Sequence, residues 1–391
     1  MRKLRMILPA AALLAACNSQ SGAVAQDTPT PAAGLPFKVT PVADFESPWA
    51  MTFLPDGSML VTEKLGRLLH VSADGKQRQT VATFPVDSAG QGGLMDVVLA
   101  PDFAQSRHVY LSYSTADEGG KGVVLVRGQL HDGNDVCSTN NECWREREPE
   151  LTGVTELFRA TPFVSGNGHY SGRIAFSPDG KYLFFTNGER QKFDPAQDPK
   201  ATLGKVLRLT PDGKPAPGNP LATQGFHPAA WSYGHRNLLG IAFDSAGNLW
   251  EQEMGPKGGD EVNLILPAKN YGYPIVSDGD HYDGRPIPDH DTRPEFEKYK
   301  VMWNPVISPG GLIVYSGRMF PQWKGDLFIG GLSSQSLVRV DVNGTDARKG
   351  DQWPMGARIR EVEEGPDGAI FVLEDGDDGS QGRLLRLTPA G

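Results

Sequence analysis

The sequence predicts an all-β protein, a six-bladed β-propeller of four-stranded antiparallel sheets. Two observations lead to that prediction. The 391 residues include 47 Gly and 31 Pro with a hydrophobic fraction of 39%, which favours many short strands and turns over long helices. The chain also repeats one hairpin phrase, in which an apolar strand, a turn and a second strand of β-branched and aromatic residues follow one another.

The repeats lie at residues 44–71, 172–189, 240–253 and 360–374, and residues 382–387 echo 66–71. Most of their turns are of the Pro-Asp-Gly type, where Pro presets φ and Gly tolerates a positive φ. Roughly 350 residues divided among four-stranded blades give about six blades with long loops. A β-sandwich is the alternative, although a sandwich rarely repeats one hairpin phrase this often.

The first residues predict export. Residues 1–5 are basic and residues 6–16 are apolar but too short to span a bilayer. Residues 1–16 are therefore a signal peptide, and the sequence before Cys17 resembles a bacterial lipobox. We expect Cys17 to be lipidated, with Asn18 directing the protein to the outer membrane on its periplasmic side; the alternative is an ordinary signal peptide cleaved nearby.

The remaining chain divides into a linker and one domain. Residues 17–35 are rich in Ala, Pro, Thr, Ser and Gly, which predicts a flexible tether. No similar break follows, so residues 36–391 are expected to form the propeller as a single domain.

The net charge of −9 argues against a general nucleic-acid binder. An anionic ligand must therefore be held by a local basic cluster.

Cys137 and Cys143 bracket a short loop. In an oxidising periplasm two thiols this close in sequence predict a disulfide. Zinc would need more ligands than this loop offers.

Residues 232–274 concentrate the chemistry of the chain. His235, Arg236 and Asn237 precede an apolar run, and a glycine-rich loop with Asp260 and Glu261 follows the next strand. A plain β-hairpin with solvated charges is one interpretation. The combination also suits an anionic ligand on one side and a hard cation on the other, because Ca²⁺ binds carboxylates and backbone carbonyls.

This stretch carries the motifs GHRN-x-x-G-x-AF, E-x-GP-x-x-x-DE-x-N and NYG-aromatic-P. Further motifs are GQGGLMDVVLAPDF at 90–103, GHYSGR at 168–173 and ARIREV at 357–362. In this order they resemble the soluble quinoprotein glucose/aldose sugar dehydrogenases. That family is a six-bladed propeller holding pyrroloquinoline quinone (PQQ) and Ca²⁺, and the resemblance covers residues 45–387.

The resemblance implies an enzyme that oxidises an aldose at its anomeric carbon to a lactone. His169 would be the general base that takes the hydroxyl proton while hydride passes to PQQ, and Arg236 would stabilise charge beside the quinone. Without the resemblance, a histidine bonded to backbone at the start of a strand is the preferred interpretation of His169. The implied partners are a small aldose and an unidentified electron acceptor. We expect a monomer that meets the membrane only through its lipid.

The resemblance also implies the binding residues. Those matching cofactor positions are Gln91, Arg236, Asn237, Ser308, Arg358 and Arg360. The Ca²⁺ ligands would be the carbonyls of Gly255 and Pro256, with Asp260, Glu261 and Tyr271 as further ligands. Glu261 and Tyr271 fit a separate structural Ca²⁺ site equally well, and the acids alone also fit a solvated loop.

One position departs from the family pattern. The family commonly has a lysine where this chain has Ser333, so either another basic group compensates or PQQ binds weakly. Two rival functions follow: a Ca²⁺-dependent lactonase-like hydrolase, and a non-catalytic propeller that binds a partner. The Arg358 and Arg360 pair argues against the hydrolase, which needs no basic quinone pocket.

Overall fold

The computed structural model describes residues 34–131, 133–137, 143–377 and 381–390; for 134–137 and 143–147 it describes the backbone alone. The predicted signal peptide, Cys17 and the linker up to residue 33 lie outside the described residues. Within the described ranges, no helix has both the length and the apolar character needed to cross a membrane.

Six four-stranded antiparallel sheets surround a central channel, which confirms the predicted six-bladed propeller. The chain enters with β1 (Phe37–Asp44), which belongs to the last blade. Blade 1 contains β2 (Pro48–Phe53), β3 (Met59–Glu63), β4 (Arg67–Val71) and β5 (Arg78–Thr83). Blade 2 contains β6 (Leu94–Leu99), β7 (His108–Asp117), β8 (Gly120–His131) and β11 (Glu150–Arg159), and it also carries the hairpin of β9 (Asn134–Cys137) and β10 (Cys143–Arg147).

The remaining blades follow the same plan. Blade 3 contains β12 (Ser171–Phe176), β13 (Leu183–Asn187), β14 (Lys205–Leu209) and β15 (Ala230–Tyr233). Blade 4 contains β16 (Leu238–Phe243), β17 (Leu249–Glu253), β18 (Asp260–Leu264) and β19 (Val301–Trp303). Blade 5 contains β20 (Pro309–Val314), β21 (Leu327–Gly331), β22 (Ser336–Asn343) and β23 (Asp346–Pro354). Blade 6 contains β24 (Ile359–Glu364), β25 (Ile370–Glu374), β26 (Arg383–Pro389) and β1.

The first and last strands close the ring. β1 pairs antiparallel with β26, with Val39 opposite Leu387. Neighbouring blades pack through apolar side chains; for example, Trp250 of blade 4 and Leu312 of blade 5 share one buried cluster. Closure therefore joins both ends of the domain in a single sheet.

The repeated hairpin phrase is the inner half of a blade. It forms β2–β3, β12–β13, β16–β17 and β24–β25, and the turn glycines have φ of 86°, 68°, 86° and 87° at Gly57, Gly180, Gly247 and Gly368. These left-handed values are why glycine recurs there. Blades 2 and 5 lack the phrase because a short helix, α1 (Phe103–Ser106), and a 3₁₀ turn (Pro321–Trp323) lie in the corresponding links.

Each innermost strand begins with an irregularity. All six inner hairpins shift register near the start of the first strand, as between Ser171 and Ile174 or between Ile359 and Glu361. A β-bulge bends the strand and redirects side chains, and bulges are common beside active sites. The six irregularities therefore surround the same end of the channel.

The β9–β10 hairpin brings the two cysteines opposite each other. Cys137 and Cys143 are partners in its backbone register. The disulfide itself stays a prediction.

One buried side chain links the blades across the channel. Arg173 of blade 3 pairs with Asp96 of blade 2 (Nη1–Oδ1, 3.2 Å) and with the carboxylate of Glu361 of blade 6. Its Nε donates to the carbonyl of Leu239 in blade 4 at 2.7 Å, and its guanidinium lies 4.1 Å from the ring centroid of Trp49 in blade 1. A single arginine thus contacts four other blades.

We predict that Arg173→Met lowers the free energy of unfolding by about 3–5 kcal/mol, because the change leaves two buried carboxylates without their cation. Urea denaturation checks this value. The matched control is Arg348→Met, where the side chain is 81% exposed beside Asp341 and the loss should stay below about 1 kcal/mol. Equal losses in the two variants would contradict the prediction.

Candidate functional site

A cavity of about 160 Å³ lies where the six innermost strands begin. Every blade contributes to its wall: Trp49, Met95, Ser171, Leu239, Leu332 and Arg360, from blades 1 to 6 in order. We call it the channel cavity. Arg173 lies immediately below it, since its guanidinium stacks on Trp49.

His169 is held rigidly on the loop before β12. It has a left-handed backbone (φ 50°), and its N–H donates to Gln91 Oε1 at 2.6 Å. Its Nδ1 lies 2.5 Å from Glu189 Oε1. Because the carboxylate fixes a proton on Nδ1, Nε2 is the ring atom left to accept one.

Burial lowers the pKa of His169 below its ordinary value of 6.5, although the hydrogen bond to Glu189 acts in the opposite direction. The imidazole is therefore neutral at pH 7. A neutral imidazole with an available nitrogen is chemically competent to act as a base.

Glu189 was not among the site residues predicted from the sequence. Its carboxylate binds His169 and also accepts backbone N–H groups of Gln191 (2.9 Å), Lys192 (2.5 Å) and Phe193 (2.7 Å). The missed signal was that the second strand of each repeated phrase ends in or just before a glutamate. These glutamates are Glu63, Glu189, Glu253 and Glu374, and all are buried.

Arg236 is fixed by the neighbouring glutamate in the same manner. The carboxylate of Glu253 accepts the Arg236 backbone N–H and also binds His235 Nδ1 (3.0 Å). The Arg236 guanidinium donates to the carbonyls of Met254 (2.8 Å) and Gly255 (2.5 Å). Arg236 is only 4% exposed, so its positive charge acts in a largely dry site.

A second cavity, of about 250 Å³, adjoins His169 and Arg236. We call it the outer cavity. Glu189, Phe193, Tyr273 and Tyr282 also line it. Asn237, next to Arg236 in sequence, lines the channel cavity instead, so this segment of the chain separates the two.

The predicted arginine pair lines one wall of the channel cavity. Arg358 Nε binds Asp375 Oδ2 at 2.7 Å, and Arg360 Nη2 lies 3.5 Å from the same oxygen. Burial lowers the pKa of Arg360 to about 10, which leaves it charged at neutral pH. Alternate residues of one segment thus present two cations to one space, together with Gln91.

Lys64 was not predicted from the sequence. It bears on whether Ser333, in place of the family lysine, leaves the channel cavity without a lysine. Ser333 is exposed and is not among the residues lining the channel cavity, whereas Leu332 is. Lys64, just after β3, lines that cavity from blade 1. The position without the family lysine is therefore outside the cavity, and another lysine lines it.

The backbone carbonyls proposed to bind Ca²⁺, those of Gly255 and Pro256, lie on a loop that Asp260 stabilises. Asp260 accepts N–H groups of Gly255 (2.9 Å), Ile307 (2.8 Å) and Ser308 (2.7 Å). Burial raises the pKa of Asp260 to about 6. These contacts make Asp260 a brace behind the Gly255–Pro256 carbonyls. Ser308 offers its backbone N–H to Asp260 and is not among the residues lining the channel cavity.

Glu261 lies in a different cluster. Glu261, Asp278 and His290 group their ligand atoms within 4.8 Å of one another, and the Tyr271 carbonyl lies 3.1 Å from His290 Nε2. The hydroxyl of Tyr271 donates to the Leu264 carbonyl and so does not join this cluster. His290 faces these carboxylates through Nδ1, 3.2 Å from Asp278 Oδ2, so the Tyr271 carbonyl at Nε2 lies on the other side of the ring. Glu261, Asp278 and His290 are therefore the candidate ligands of a cation separate from the channel cavity, and Tyr271 is not among them.

Known proteins share this sequence and fold. The family model described as Glucose / Sorbosone dehydrogenase matches residues 45–386. The aldose sugar dehydrogenase YliI of Escherichia coli is 38% identical over 359 residues, covering 88% of this chain and 90% of YliI.

Solved structures agree. A crystal structure of a glucose dehydrogenase has a TM-score of 0.81 at 38% identity, covering 90% of this chain and all of the other. The PQQ-bound aldose sugar dehydrogenase of Streptomyces coelicolor has a TM-score of 0.70 at 28% identity, covering 90% of this chain and 98% of that one. These matches confirm the predicted relationship: the chain belongs to the glucose/sorbosone dehydrogenase family of oxidoreductases.

Proposed function

We propose that the protein oxidises aldose sugars at the anomeric carbon to lactones, using PQQ and Ca²⁺. The observation that carries this proposal is the hydrogen-bonded pair of His169 and Glu189 beside Arg236, at the boundary between two cavities. One cavity carries a cluster of cations, and the other has mixed aromatic and polar walls. An anionic cofactor and a neutral sugar would suit them respectively.

The donor set of the channel cavity fits PQQ, which carries three carboxylates and a quinone. Lys64, Arg358 and Arg360 supply three positive charges, and Gln91 and Asn237 supply amide groups. Charge-assisted hydrogen bonds are the strong ones for binding carboxylates. The flat ring of Trp49 offers a surface for an aromatic cofactor. Ser308 remains only a proposed further donor.

When bound, PQQ supplies the two-electron acceptor for the anomeric hydride, and Ca²⁺ at the Gly255 and Pro256 carbonyls supplies a Lewis acid. His169 Nε2 accepts the proton of the anomeric hydroxyl, and Glu189 stabilises the resulting imidazolium. Arg236 places a fixed positive charge where negative charge develops. We further propose that Glu261 and Asp278 hold a second, structural Ca²⁺, with the Tyr271 carbonyl orienting His290 beside them and with Asp260 as a support rather than a ligand.

The remaining expectations are proposals about the rest of the chain. Residues 1–16 are a lipoprotein signal, Cys17 anchors the periplasmic enzyme to the outer membrane, and the propeller of residues 36–391 acts as a monomer. The Cys137–Cys143 register supports a disulfide in that compartment. The partners are an aldose and an electron acceptor of unidentified class. The lactonase-like hydrolase and the binding propeller are weaker proposals, because neither needs three cations around one cavity.

The first experiment is reconstitution. We expect purified protein to reduce an electron-accepting dye with a panel of aldoses only when both PQQ and Ca²⁺ are added. His169→Gln should lower kcat by about 10²- to 10⁴-fold, since it removes the general base, with little change in the PQQ Kd. Failure to oxidise any aldose would refute the proposal, and lactone hydrolysis without dye reduction would favour the hydrolase.

A second prediction concerns pH. His169 acts when neutral, so kcat/KM should fall as the pH drops through its pKa. The bond from Glu189 raises that pKa; Glu189→Gln should therefore move the acid limb of kcat/KM to lower pH and also lower kcat. The exposed Glu156→Gln is the matched control. An acid limb that stays in place or moves to higher pH would contradict the assignment.

A third prediction concerns Lys64. We expect Lys64→Met to weaken PQQ binding by roughly ten- to a hundredfold, the effect of one charge-assisted hydrogen bond. Fluorescence titration of the Kd checks this. Lys76→Met, where the side chain is 81% exposed, is the control, and Ser333→Lys should bring no gain because Ser333 is outside the channel cavity. Tighter binding in Ser333→Lys with no loss in Lys64→Met would contradict the assignment of Lys64.

A further inference from the structure

Two large aromatic side chains in the outer cavity are left uncovered. Phe193 is 41% exposed and Tyr282 is 73% exposed, and both line the cavity that contains His169. The described residues include only six exposed large hydrophobic side chains, and these are two of them. Apolar surface left open beside a candidate base is typical of a ligand-binding wall.

The backbone that presents Phe193 is strained. Arg190, Gln191 and Phe193 are non-glycine residues with left-handed φ of 63°, 58° and 63°. Such conformations persist only where surrounding contacts enforce them, and they cluster at functional sites. Here the enforcing group is the Glu189 carboxylate, which accepts the Phe193 N–H at 2.7 Å. The carboxylate that orients His169 therefore also fixes the aromatic wall.

Tyr282 reaches the same cavity from the long loop between β18 and β19. That loop is tied to the Gly255 segment because Lys257 and Asp280 exchange backbone hydrogen bonds of 2.9 and 3.2 Å. A turn from His281 to Arg285 (N–H to carbonyl, 3.0 Å) displays the ring. Its hydroxyl lies 3.4 Å from Arg236 Nη2. The position of Tyr282 is thus set relative to the catalytic machinery.

We propose that Phe193 and Tyr282 bind the C–H faces of the sugar ring and are specificity-determining residues for the pyranose form of the substrate. This inference rests on the proposed function and names the residues of that site that hold the sugar. A pyranose has apolar C–H faces and a polar hydroxyl edge. The aromatic rings suit the faces, and His169 and Arg236 suit the edge that carries the anomeric hydroxyl.

The test separates binding from chemistry. With PQQ and Ca²⁺ present, Phe193→Ala and Tyr282→Ala should each raise the KM for aldoses by up to about tenfold, the value of one aromatic contact, with kcat nearly unchanged. Tyr282→Phe should keep the wild-type KM, because the aromatic ring and not the hydroxyl makes the contact with the sugar. Val154→Ala, at another exposed apolar position, is the matched control.

A second readout needs no turnover. Saturation-transfer NMR with 1,5-anhydro-D-glucitol, a pyranose that lacks the anomeric hydroxyl, should detect binding to the wild type and to Val154→Ala. The signal should disappear in the Phe193→Ala, Tyr282→Ala double variant. Such binding without aldose oxidation would refute the proposed function and leave the inference standing. Active variants with unchanged KM, or a wild type that does not bind the pyranose, would overturn the inference.

Discussion

The fold depends on one charged side chain buried in the channel. Arg173 joins inner strands of different blades, and the two carboxylates that neutralise it come from the neighbouring blade 2 (Asp96) and from blade 6 on the far side of the channel (Glu361). Its stacking on Trp49 makes that ring part of both the stabilising network and the wall of the channel cavity. Because one layer serves both purposes, the geometry of the candidate site cannot vary independently of the closure of the propeller.

Above that layer, glutamates at the ends of second strands hold the functional loops. Glu189 fixes His169 and a strained segment, and Glu253 fixes Arg236. In blades 1 and 6 the equivalent Glu63 and Glu374 bind nearby arginines. A buried carboxylate accepting several donors is a rigid support, since leaving any of these donors unpaired would cost free energy. The glutamate that recurs at the end of the second strand thereby positions the catalytic groups His169 and Arg236.

The electrostatics of the site are local. The chain has a net charge of −9, yet Lys64, Arg358 and Arg360 converge on one cavity. Asp375 pairs with both arginines, so their guanidiniums are oriented before any ligand arrives. Preorganised charge of this kind lowers the cost of binding an anion. The outer cavity has mainly aromatic and polar walls, which separates recognition of a sugar from recognition of a cofactor.

The sequence by itself determined the architecture, because the hairpin phrase repeats with a turn glycine that must adopt positive φ. It also determined the family, and it named His169, Arg236, Arg358 and Arg360, which the structure brings to adjoining cavities. Only the tertiary structure decided which groups support them. Lys64 comes from another blade and Tyr282 from a long loop, and neither has a local signal at its own position. Glu189 ends its repeat as Glu63, Glu253 and Glu374 do, but its contact with His169 exists only in the folded blade. Contacts between residues so far apart in the chain depend on ring closure and strand register, which no local pattern encodes.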